Sequence, residues 1–582
     1  MQLQINHLKI FVIFFVALTF SNFVFTQPVI NSVSPLTGLT GTTITIKGTG
    51  FGNLPDSNIV FFGAVKAKII SASDSLIEAK LPVGATYQPV SVTENKLTGF
   101  SSQSVVITFK GSGGIAPNSF ASKIDFPAGR YPREMIVCDL DMDKKPDIVM
   151  INGNDSLIAV YKNLSTTGNI SFANVANYST GNNPFGIAAG DFNGDGKQDI
   201  AVCNNNDNTV SIFKNSSTRS NIIFDTPINF QTADNPISIT VSDFDNDGKP
   251  DIAVVNSNSN SISVLRNITA KKISFDNKVD FPAGNWPMGI CSGDLNGDGK
   301  TDIAVTNFND NTISVFKNAS KQGKMIFESK LIFQTGDGPW HPVIADVNDD
   351  QKPELIIPNS NSNSISIFKN ISKENKIAFS TKKDYVTGEL PLNIAVGDID
   401  GDEKPDIAVS DFSIFSNAVS VFKNIGNDER ISFKSKVDFG TANSPRGIIM
   451  DDFDGDGKPD LAVSNSNSNS LSVLQNQVLS NAVLFSGTVI SNTSANKAIL
   501  QIQPTVSNGN FSVHTFLPVK KLSTSFTLYN SLGKIIWQQY AGKTCSTIDQ
   551  NFRLENVLSN GVYFLHVTRS DTHLITKIII CK

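Results

Sequence analysis

Short hydrophobic stretches alternate with polar turns through most of the chain, and one set of these stretches recurs. A single copy contains Ile273-Ser-Phe275, Val279-Asp-Phe281, Asp302-Ile-Ala-Val305 and Ile313-Ser-Val-Phe316. Each stretch has the length and the β-branched and aromatic content of a strand. No long pattern of period 3.6 with capping residues stands out. The chain is therefore predicted to be all-β, with few helices.

A nine-residue acidic loop lies at the same point of every copy. It occurs seven times at intervals of 51 to 54 residues, and a proline stands seven residues before each loop. Four short strands in a unit of this length are typical of one blade of a β-propeller. Seven units therefore predict a seven-bladed β-propeller over residues 118–477. The prolines are Pro132, Pro184, Pro236, Pro287, Pro339, Pro391 and Pro445.

The two ends of the repeat region are predicted to meet. Residues 119–126 have the strand type that ends a unit, yet they precede the first loop. The last unit, which ends at Leu471-Ser-Val-Leu-Gln475, has no clear copy of that strand. We therefore expect the early strand to complete the seventh blade and close the ring, which removes exposed strand edges. An open solenoid is the alternative.

The acidic loops offer oxygen ligands at alternate positions. Positions 1, 3, 5 and 9 are always Asp, Asn or Glu, and 25 of them are carboxylates, out of 53 acidic residues in the chain. Position 7 is always Lys, so we expect only its backbone carbonyl to contribute, with the side chain pointing to water. Glycine at positions 4 and 6 of many copies permits positive φ angles. Such a loop suits Ca²⁺, a hard cation that takes about 6–8 oxygen ligands.

Up to seven structural calcium ions are therefore predicted, each linking the inner two strands of a blade. Without a cation or protons, carboxylates packed this closely would repel one another. Acidic hairpin turns without metal are the alternative. The candidate ligands are Asp139, Asp141, Asp143 and Asp147; Asp191, Asn193, Asp195 and Asp199; Asp243, Asp245, Asp247 and Asp251; Asp294, Asn296, Asp298 and Asp302; Asp346, Asn348, Asp350 and Glu354; Asp398, Asp400, Asp402 and Asp406; and Asp452, Asp454, Asp456 and Asp460.

The loop pattern is similar to the calcium loops of FG-GAP repeats, as in integrin α-subunit propellers and bacterial VCBS-type proteins. The resemblance covers about 360 residues in seven copies. Two loops depart from the pattern. Glu354 replaces Asp in the fifth loop, and the first loop lacks glycine at positions 4 and 6.

Two further all-β units are predicted beside the repeats. Residues 27–110, with Ser34-Pro35 and Gly50-Phe-Gly52, resemble the immunoglobulin-like IPT/TIG domain, which implies a β-sandwich. Residues 111–117 are predicted to be a linker that begins with a flexible glycine-rich stretch. Residues 485–582, with Asn508-Gly-Asn-Phe511 and Gly561-Val-Tyr-Phe564, resemble the C-terminal sorting domain of the type IX secretion system. This resemblance implies a second sandwich, export by that machinery, and release or attachment at the bacterial surface.

The first 26 residues are predicted to be a signal peptide, because an apolar run from Ile10 to Phe20 follows Lys9. An uncleaved anchor is the alternative, and no later segment could cross a membrane as a helix. Of the five cysteines, Cys138, Cys203 and Cys291 are predicted to be small buried residues. Cys545 and Cys581 could form a disulfide after export.

Together these features favour a secreted or surface-displayed binding protein that uses one propeller face for adhesion to a protein or glycan. No catalytic constellation is recognised, and His341, the only histidine of the repeats, is expected to be a packing residue. Asn/Ser tracts such as 256–261 are expected to form turns, with sugar binding as the alternative. The absence of a dense basic stripe argues against nucleic acid. One alternative is a polysaccharide-active enzyme such as a lyase, which a carboxylate, Lys or Arg, and Tyr converging in the central channel would favour. A second alternative is a stalk or spacer with no small ligand.

Overall fold

A computed structural model describes residues 26–111, 113–373, 375–415 and 417–478, together with eight strand segments between residues 489 and 580. The predicted signal peptide lies almost wholly outside these ranges, and so do Cys545 and Cys581. The described residues contain 46 strands and two 3₁₀ turns, at Pro55–Ser57 and Gly153–Asp155, but no α-helix. None of their helical segments is long and apolar enough to span a membrane. The prediction of an all-β chain is confirmed.

The N-terminal domain is built from ten strands. Two four-stranded sheets, β1-β3-β7-β6 and β5-β4-β8-β9, enclose one core that includes Ile44 and Ile46 of the first sheet and Val60 and Phe62 of the second. The alternation of apolar and polar residues along each strand aims one face of each sheet at this core. The strands are β1 Val29–Ser34, β2 Thr37–Leu39, β3 Thr43–Thr49, β4 Asn58–Phe62, β5 Val65–Lys66, β6 Lys68–Ala72, β7 Leu76–Lys80, β8 Pro89–Glu94, β9 Leu97–Ser104 and β10 Val106–Thr108.

The central region contains seven four-stranded antiparallel sheets. Six of them are consecutive: β12–β15, β16–β19, β20–β23, β24–β27, β28–β31 and β32–β35. The first half of the region has β11 Ile124–Pro127, β12 Pro132–Cys138, β13 Asp147–Asn152, β14 Leu157–Tyr161, β15 Ala176–Ser179, β16 Pro184–Gly190, β17 Asp199–Asn204, β18 Thr209–Phe213, β19 Ile228–Gln231, β20 Pro236–Ser242, β21 Asp251–Asn256, β22 Ser261–Leu265, β23 Val279–Pro282 and β24 Pro287–Gly293. The second half has β25 Asp302–Asn307, β26 Thr312–Phe316, β27 Leu331–Gln334, β28 Val343–Ala345, β29 Glu354–Asn359, β30 Ser364–Phe368, β31 Lys383–Val386, β32 Pro391–Gly397, β33 Asp406–Asp411, β34 Ala418–Phe422, β35 Val437–Gly440, β36 Pro445–Asp451, β37 Asp460–Asn465 and β38 Ser470–Leu474.

The seventh sheet joins the two ends of this region. Its order is β11-β38-β37-β36, and β11 pairs antiparallel with β38, with Ile124 opposite Val473. The innermost strand β12 of the first sheet also packs against β36 of the seventh. One apolar cluster contains Met150 and Tyr161 of the first sheet together with Leu471 of the seventh. The sheets therefore form a closed series, consistent with a β-propeller.

A buried asparagine after the third strand of each sheet links neighbouring sheets. Its Nδ2 donates to a backbone carbonyl of the preceding acidic loop, so that Asn318 reaches Phe244 O at 2.8 Å. Asn163 of the first sheet does the same to Phe453 O of the seventh, at 2.9 Å. Because the bonds run from each sheet to the one before it, they form a closed ring. The seven asparagines are Asn163, Asn215, Asn267, Asn318, Asn370, Asn424 and Asn476.

The C-terminal region contributes two further four-stranded sheets, β39-β40-β41-β44 and β43-β42-β45-β46. All of their pairings are antiparallel. The strands are β39 Val489–Thr493, β40 Asn496–Pro504, β41 Asn510–Phe516, β42 Thr524–Asn530, β43 Ile535–Ala541, β44 Thr547–Arg553, β45 Gly561–Arg569 and β46 Thr572–Ile580.

Candidate functional site

The acidic loops connect the first and second strands of the seven central sheets. Positions 4 and 6 are left-handed in every loop, whether the residue is glycine or not. In the first loop Met142 and Lys144 have φ angles of 59° and 74°, where the second loop has Gly194 and Gly196 at 68° and 83°. The winding that the glycines indicated is thus confirmed, and it extends to the first and fifth loops, which have no glycine at these positions.

Backbone N–H groups hold the first and last carboxylates of each loop. Asp139 accepts hydrogen bonds from Asp143 N and Lys144 N, both at 3.0 Å. Asp147 accepts from Leu140 N at 3.1 Å and from Asn163 N at 2.8 Å. The position 9 carboxylate is wholly buried in all seven loops. These bonds fix the carboxylates but leave each oxygen a further lone pair for a cation.

Carboxylates converge most closely in the four loops with Asp at position 3. In each of them three carboxylates offer oxygens within 4.8 Å of one another. The second, fourth and fifth loops have Asn at position 3 and so place fewer charges together. The four groups are Asp139, Asp141 and Asp147; Asp243, Asp245 and Asp251; Asp398, Asp400 and Asp406; and Asp452, Asp454 and Asp460.

Burial makes the first and last carboxylates of each loop hard to ionise. Together with neighbouring carboxylates, it raises the pKa of Asp139, Asp243 and Asp452 to about 7 and that of Glu354 to about 8. In five loops a basic side chain pairs with one of the carboxylates and relieves part of the repulsion. Lys162 pairs with Asp141, Lys423 pairs with Asp400, and Arg266 Nε lies 2.6 Å from Asp245 Oδ2. A buried, all-oxygen donor set of this charge fits Ca²⁺.

The lysine at position 7 differs from the sequence expectation. Its ammonium group was expected to point to water, but in five loops it donates to a backbone carbonyl. Lys145 Nζ, for example, lies 2.6 Å from Ser165 O. The prediction is wrong for these loops because the backbone carbonyl two residues after the buried asparagine lies within hydrogen-bond distance of the lysine. The lysine therefore ties the acidic loop to the outer part of its own sheet.

The N-terminal domain is docked on the acidic loops. Gln27 Nε2 donates to Asp243 Oδ2 and Thr108 Oγ1 donates to Asp398 Oδ2, each at 2.5 Å. The Tyr87 hydroxyl bonds to the backbone of Asp346 at 3.1 Å. In the predicted linker, Gly111 N donates to Gly401 O at 3.3 Å. A cavity of about 1370 Å³ lies between this domain and the inner strands. The N-terminal domain therefore covers the loop end of the central channel.

A buried charged cluster lies at the opposite end of the channel. Each inner strand begins at the repeat proline and ends at the acidic loop, so residues just after the proline lie at the far end. We name Arg133, Glu134, His341 and Arg446 the channel-mouth cluster. Glu134 Oε1 is 3.6 Å from Arg446 Nε and 3.8 Å from His341 Nε2. The guanidinium groups of Arg133 and Arg446 lie 4.5 and 4.6 Å from the ring centre of Phe185.

Aromatic and apolar side chains surround this end of the channel. The residue before each repeat proline is left-handed in all seven repeats, and three of these residues are the bulky Tyr131, Trp286 and Leu390. Trp286 is 43% exposed and Leu390 is 40% exposed. Phe415, in the longer turn of the sixth repeat, is 85% exposed. Left-handed backbone is costly for bulky residues, and Asn, Gly or Ser occupies this position in the other four repeats.

Sequence reasoning missed the channel-mouth cluster apart from His341, which was expected only to pack. The residue after the repeat proline is apolar in five repeats, as in Phe185 and Leu392, but it is Arg133 and Arg446 in the first and seventh. This break in the repeat was the available signal. The cluster also meets the criterion stated above for the enzyme alternative, since Glu134, Arg133, Arg446 and Tyr131 converge in the channel.

The comparisons with known families agree with the resemblances seen in the sequence. The FG-GAP-like repeat matches residues 139–202, 191–254, 243–305, 294–357, 346–409 and 412–495, together more than half of the chain. The chain therefore belongs to the FG-GAP-like repeat family. An IPT/TIG domain matches residues 28–112, and a secretion system C-terminal sorting domain matches residues 501–581. The protein is thus secreted or surface-attached, and its sorting domain implies contact with the type IX secretion machinery.

Several solved structures are similar over most of their length. A functionally unknown protein from Desulfotomaculum acetoxidans is 13% identical, with a TM-score of 0.39 over 65% of this chain and 96% of that one. An auxiliary nutrient binding protein from Bacteroides ovatus is 12% identical, with a TM-score of 0.32 over 77% and 97%. A putative 6-phosphogluconolactonase from Bacteroides fragilis is 14% identical, with a TM-score of 0.40 over 67% and 97%. No curated protein matches the chain. At TM-scores this low, the likenesses establish no function.

Proposed function

We propose that this protein is a calcium-stabilised, seven-bladed β-propeller that binds a protein or glycan ligand outside the cell. An immunoglobulin-like sandwich precedes the propeller, and the sandwich of the sorting domain follows it. The seven four-stranded sheets, the pairing of β11 with β38 and the closed ring of asparagine bonds support the blade count. Ca²⁺ would be held by positions 1, 3, 5 and 9 of each loop, where it would offset the carboxylate charges and tie the first two strands of each blade together.

The position of the N-terminal domain supports one face as the ligand surface. The N-terminal domain occupies the acidic-loop end, where its hydrogen bonds to the loops lie. The other end displays exposed Trp286, Leu390 and Phe415 around a buried charged cluster. Exposed aromatic groups around a recess are typical of binding surfaces. The ligand surface is therefore the face at the starts of the inner strands.

A glycan and protein array, probed with the exported protein with and without calcium, tests this function. The variants Trp286→Ala and Phe415→Ala should lose the signal of any ligand that the wild type binds. Met142→Ala is the matched control, because Met142 is an exposed apolar residue, 36% exposed, in an acidic loop. Equal losses in Met142→Ala, or no ligand at all, would count against the proposal.

The convergence of Glu134, Arg133, Arg446 and Tyr131 supports a second candidate, a polysaccharide-active enzyme such as a lyase. In that reaction a base removes the proton next to the carboxylate of an acidic sugar while positive charge stabilises the resulting carbanion. A C=C bond then forms as the glycosidic C–O bond breaks, and the leaving oxygen takes up a proton. Incubation with acidic polysaccharides, followed by the ultraviolet absorbance of unsaturated products, would detect it. Glu134→Gln should abolish such an activity, and an unchanged rate in that variant would exclude the role of Glu134.

A further inference from the structure

The channel-mouth cluster has more buried positive than negative charge. Arg133, Glu134 and Arg446 are 7%, 8% and 5% exposed. Burial lowers the pKa of His341, so the imidazole is neutral near pH 7. Two guanidinium groups therefore face one carboxylate, which leaves a formal excess of one positive charge (2 − 1). Excess charge in a buried site is costly unless an anion pairs with it.

Polar atoms in the cluster also lack hydrogen-bond partners. Among the described residues, the donors Arg133 Nε and Arg446 Nε are buried without an acceptor, and Glu134 Oε1 and His341 Nε2 are buried without a partner. Trp340 Nε1, next to His341 in the chain, is a further buried donor without an acceptor. Glu134 Oε1, at 3.6 Å, is too far from Arg446 Nε for a good hydrogen bond. Buried unpaired donors are rare and need an explanation. A ligand with negatively charged oxygen atoms would balance the excess positive charge and accept hydrogen bonds from the unpaired donors.

The arrangement of the two arginines favours a carboxylate. Phe185 holds both guanidinium groups close to its ring, and Arg133 is further fixed by a 2.8 Å bond to Pro184 O. A fixed, planar guanidinium group matches the two oxygens of a carboxylate. Around the mouth, Asn183 and Asn235 both donate to Asn205 Oδ1, so amide groups lie on the same face. Such amides and the ring of Trp286 suit a hydroxyl-rich ligand.

We propose that the channel-mouth cluster binds the carboxylate of an acidic sugar unit, with Arg133 and Arg446 as its principal partners. This inference rests on the proposed function, because it takes the same face as the ligand surface. Glu134 opposes the ligand charge and thereby limits the affinity. The site lies at the opposite end of the inner strands from the calcium loops.

Isothermal titration calorimetry with three probes tests the ligand class. Oligogalacturonate should bind at least about tenfold more tightly than its methyl ester, since the ester keeps the sugar ring but lacks the charge-assisted hydrogen bonds. A glutamate-rich peptide should bind less tightly than oligogalacturonate. Equal affinities for acid and ester would overturn the carboxylate inference while leaving a ligand-binding face intact. Tighter binding of the peptide than of oligogalacturonate would overturn the inference that the carboxylate belongs to a sugar. If no probe and no array ligand binds, the proposed function fails as well.

Two variants change affinity in opposite directions. Arg446→Gln should weaken oligogalacturonate binding about tenfold or more, and Glu134→Gln should strengthen it, because it removes the competing negative charge. A folding defect cannot produce tighter binding. Arg130→Gln is the matched control: Arg130 lies just before β12, the strand that contains Arg133 and Glu134, its side chain is 71% exposed, and the variant should change affinity less than about twofold. Weaker binding in Glu134→Gln, or equal effects of Arg446→Gln and Arg130→Gln, would refute the proposal.

Discussion

The ring of asparagine bonds gives a direct measure of how the central region is closed. The side chain of Asn318 is 1% exposed and makes three hydrogen bonds to the backbone. Its Nδ2 donates to Phe244 O at 2.8 Å and Thr301 O at 2.9 Å, and its Oδ1 accepts from Ser320 N at 2.8 Å. Alanine would leave two carbonyls and one N–H without this partner. At about 1 kcal/mol for each group, Asn318→Ala should lower the free energy of unfolding by about 3 kcal/mol.

Asn163 makes the same three kinds of bond across the seam. It donates to Pro146 O at 3.0 Å and Phe453 O at 2.9 Å, and it accepts from Ser165 N at 2.8 Å. Because Phe453 belongs to the seventh acidic loop, this contact exists only in a closed ring. Asn163→Ala should therefore destabilise the protein as much as Asn318→Ala. In an open array the bond to Phe453 O would be absent, so Asn163→Ala would lower the free energy of unfolding by about 2 kcal/mol, not by about 3 kcal/mol.

Urea unfolding in saturating calcium, followed by the fluorescence of Trp286 and Trp340, measures both effects. Asn309→Ala is the control, since Asn309 is an exposed asparagine of the same repeat, and surface substitutions usually change stability by about 0.5 kcal/mol or less. If Asn318→Ala costs about 3 kcal/mol and Asn163→Ala costs about 2 kcal/mol, the ring is open in solution, because the two bonds of Asn163 within its own sheet remain. If both behave like the control, the reasoning from buried hydrogen bonds is wrong.

Three further predictions concern the acidic loops. Without calcium, the melting temperature should fall as the pH rises from about 4 to about 7, because carboxyls such as Asp243, whose pKa burial raises to about 7, stabilise the fold only while protonated. Calcium should remove this dependence of the melting temperature on pH. A melting temperature that rises with pH in the calcium-free protein would contradict the prediction. Lys144 has a φ of 74°, so Lys144→Gly should stabilise the protein by about 1 kcal/mol in urea unfolding. Gly299 has a φ of 77° and open space around its Cβ, so Gly299→Ala should destabilise the protein by a similar amount. Destabilisation by Lys144→Gly together with stabilisation by Gly299→Ala would count against left-handed backbone at these loop positions. Gly111→Val should speed proteolysis of residues 110–117, because a Cβ there would lie 1.8 Å from Asp400 O, whereas Gly114→Val, with open space, should not. Equal cleavage would mean that the segment is not held on the sixth loop.

The repeated unit and its loops could be predicted from the amino-acid sequence alone. Strand content follows from local alternation of apolar residues, and the left-handed loop positions follow from glycine and asparagine, so both are visible in a single copy. The three family resemblances depend on such local motifs, and they are confirmed. The first loop shows the limit of this reasoning, because Met142 and Lys144 take left-handed angles without glycine. There the surrounding hydrogen bonds to Asp139 fix the winding.

Only the tertiary structure decided which residues share a site. Arg133 and Arg446 come from the first and seventh repeats, and they meet at Phe185 of the second because the sheets form a closed series. His341 joins them from the fifth, across the channel. Likewise, the docking of Tyr87 and Thr108 on the acidic loops depends on how two domains pack. Spacing along the chain records contacts within a strand or a turn, whereas contacts across a closed ring depend on the orientation of whole sheets.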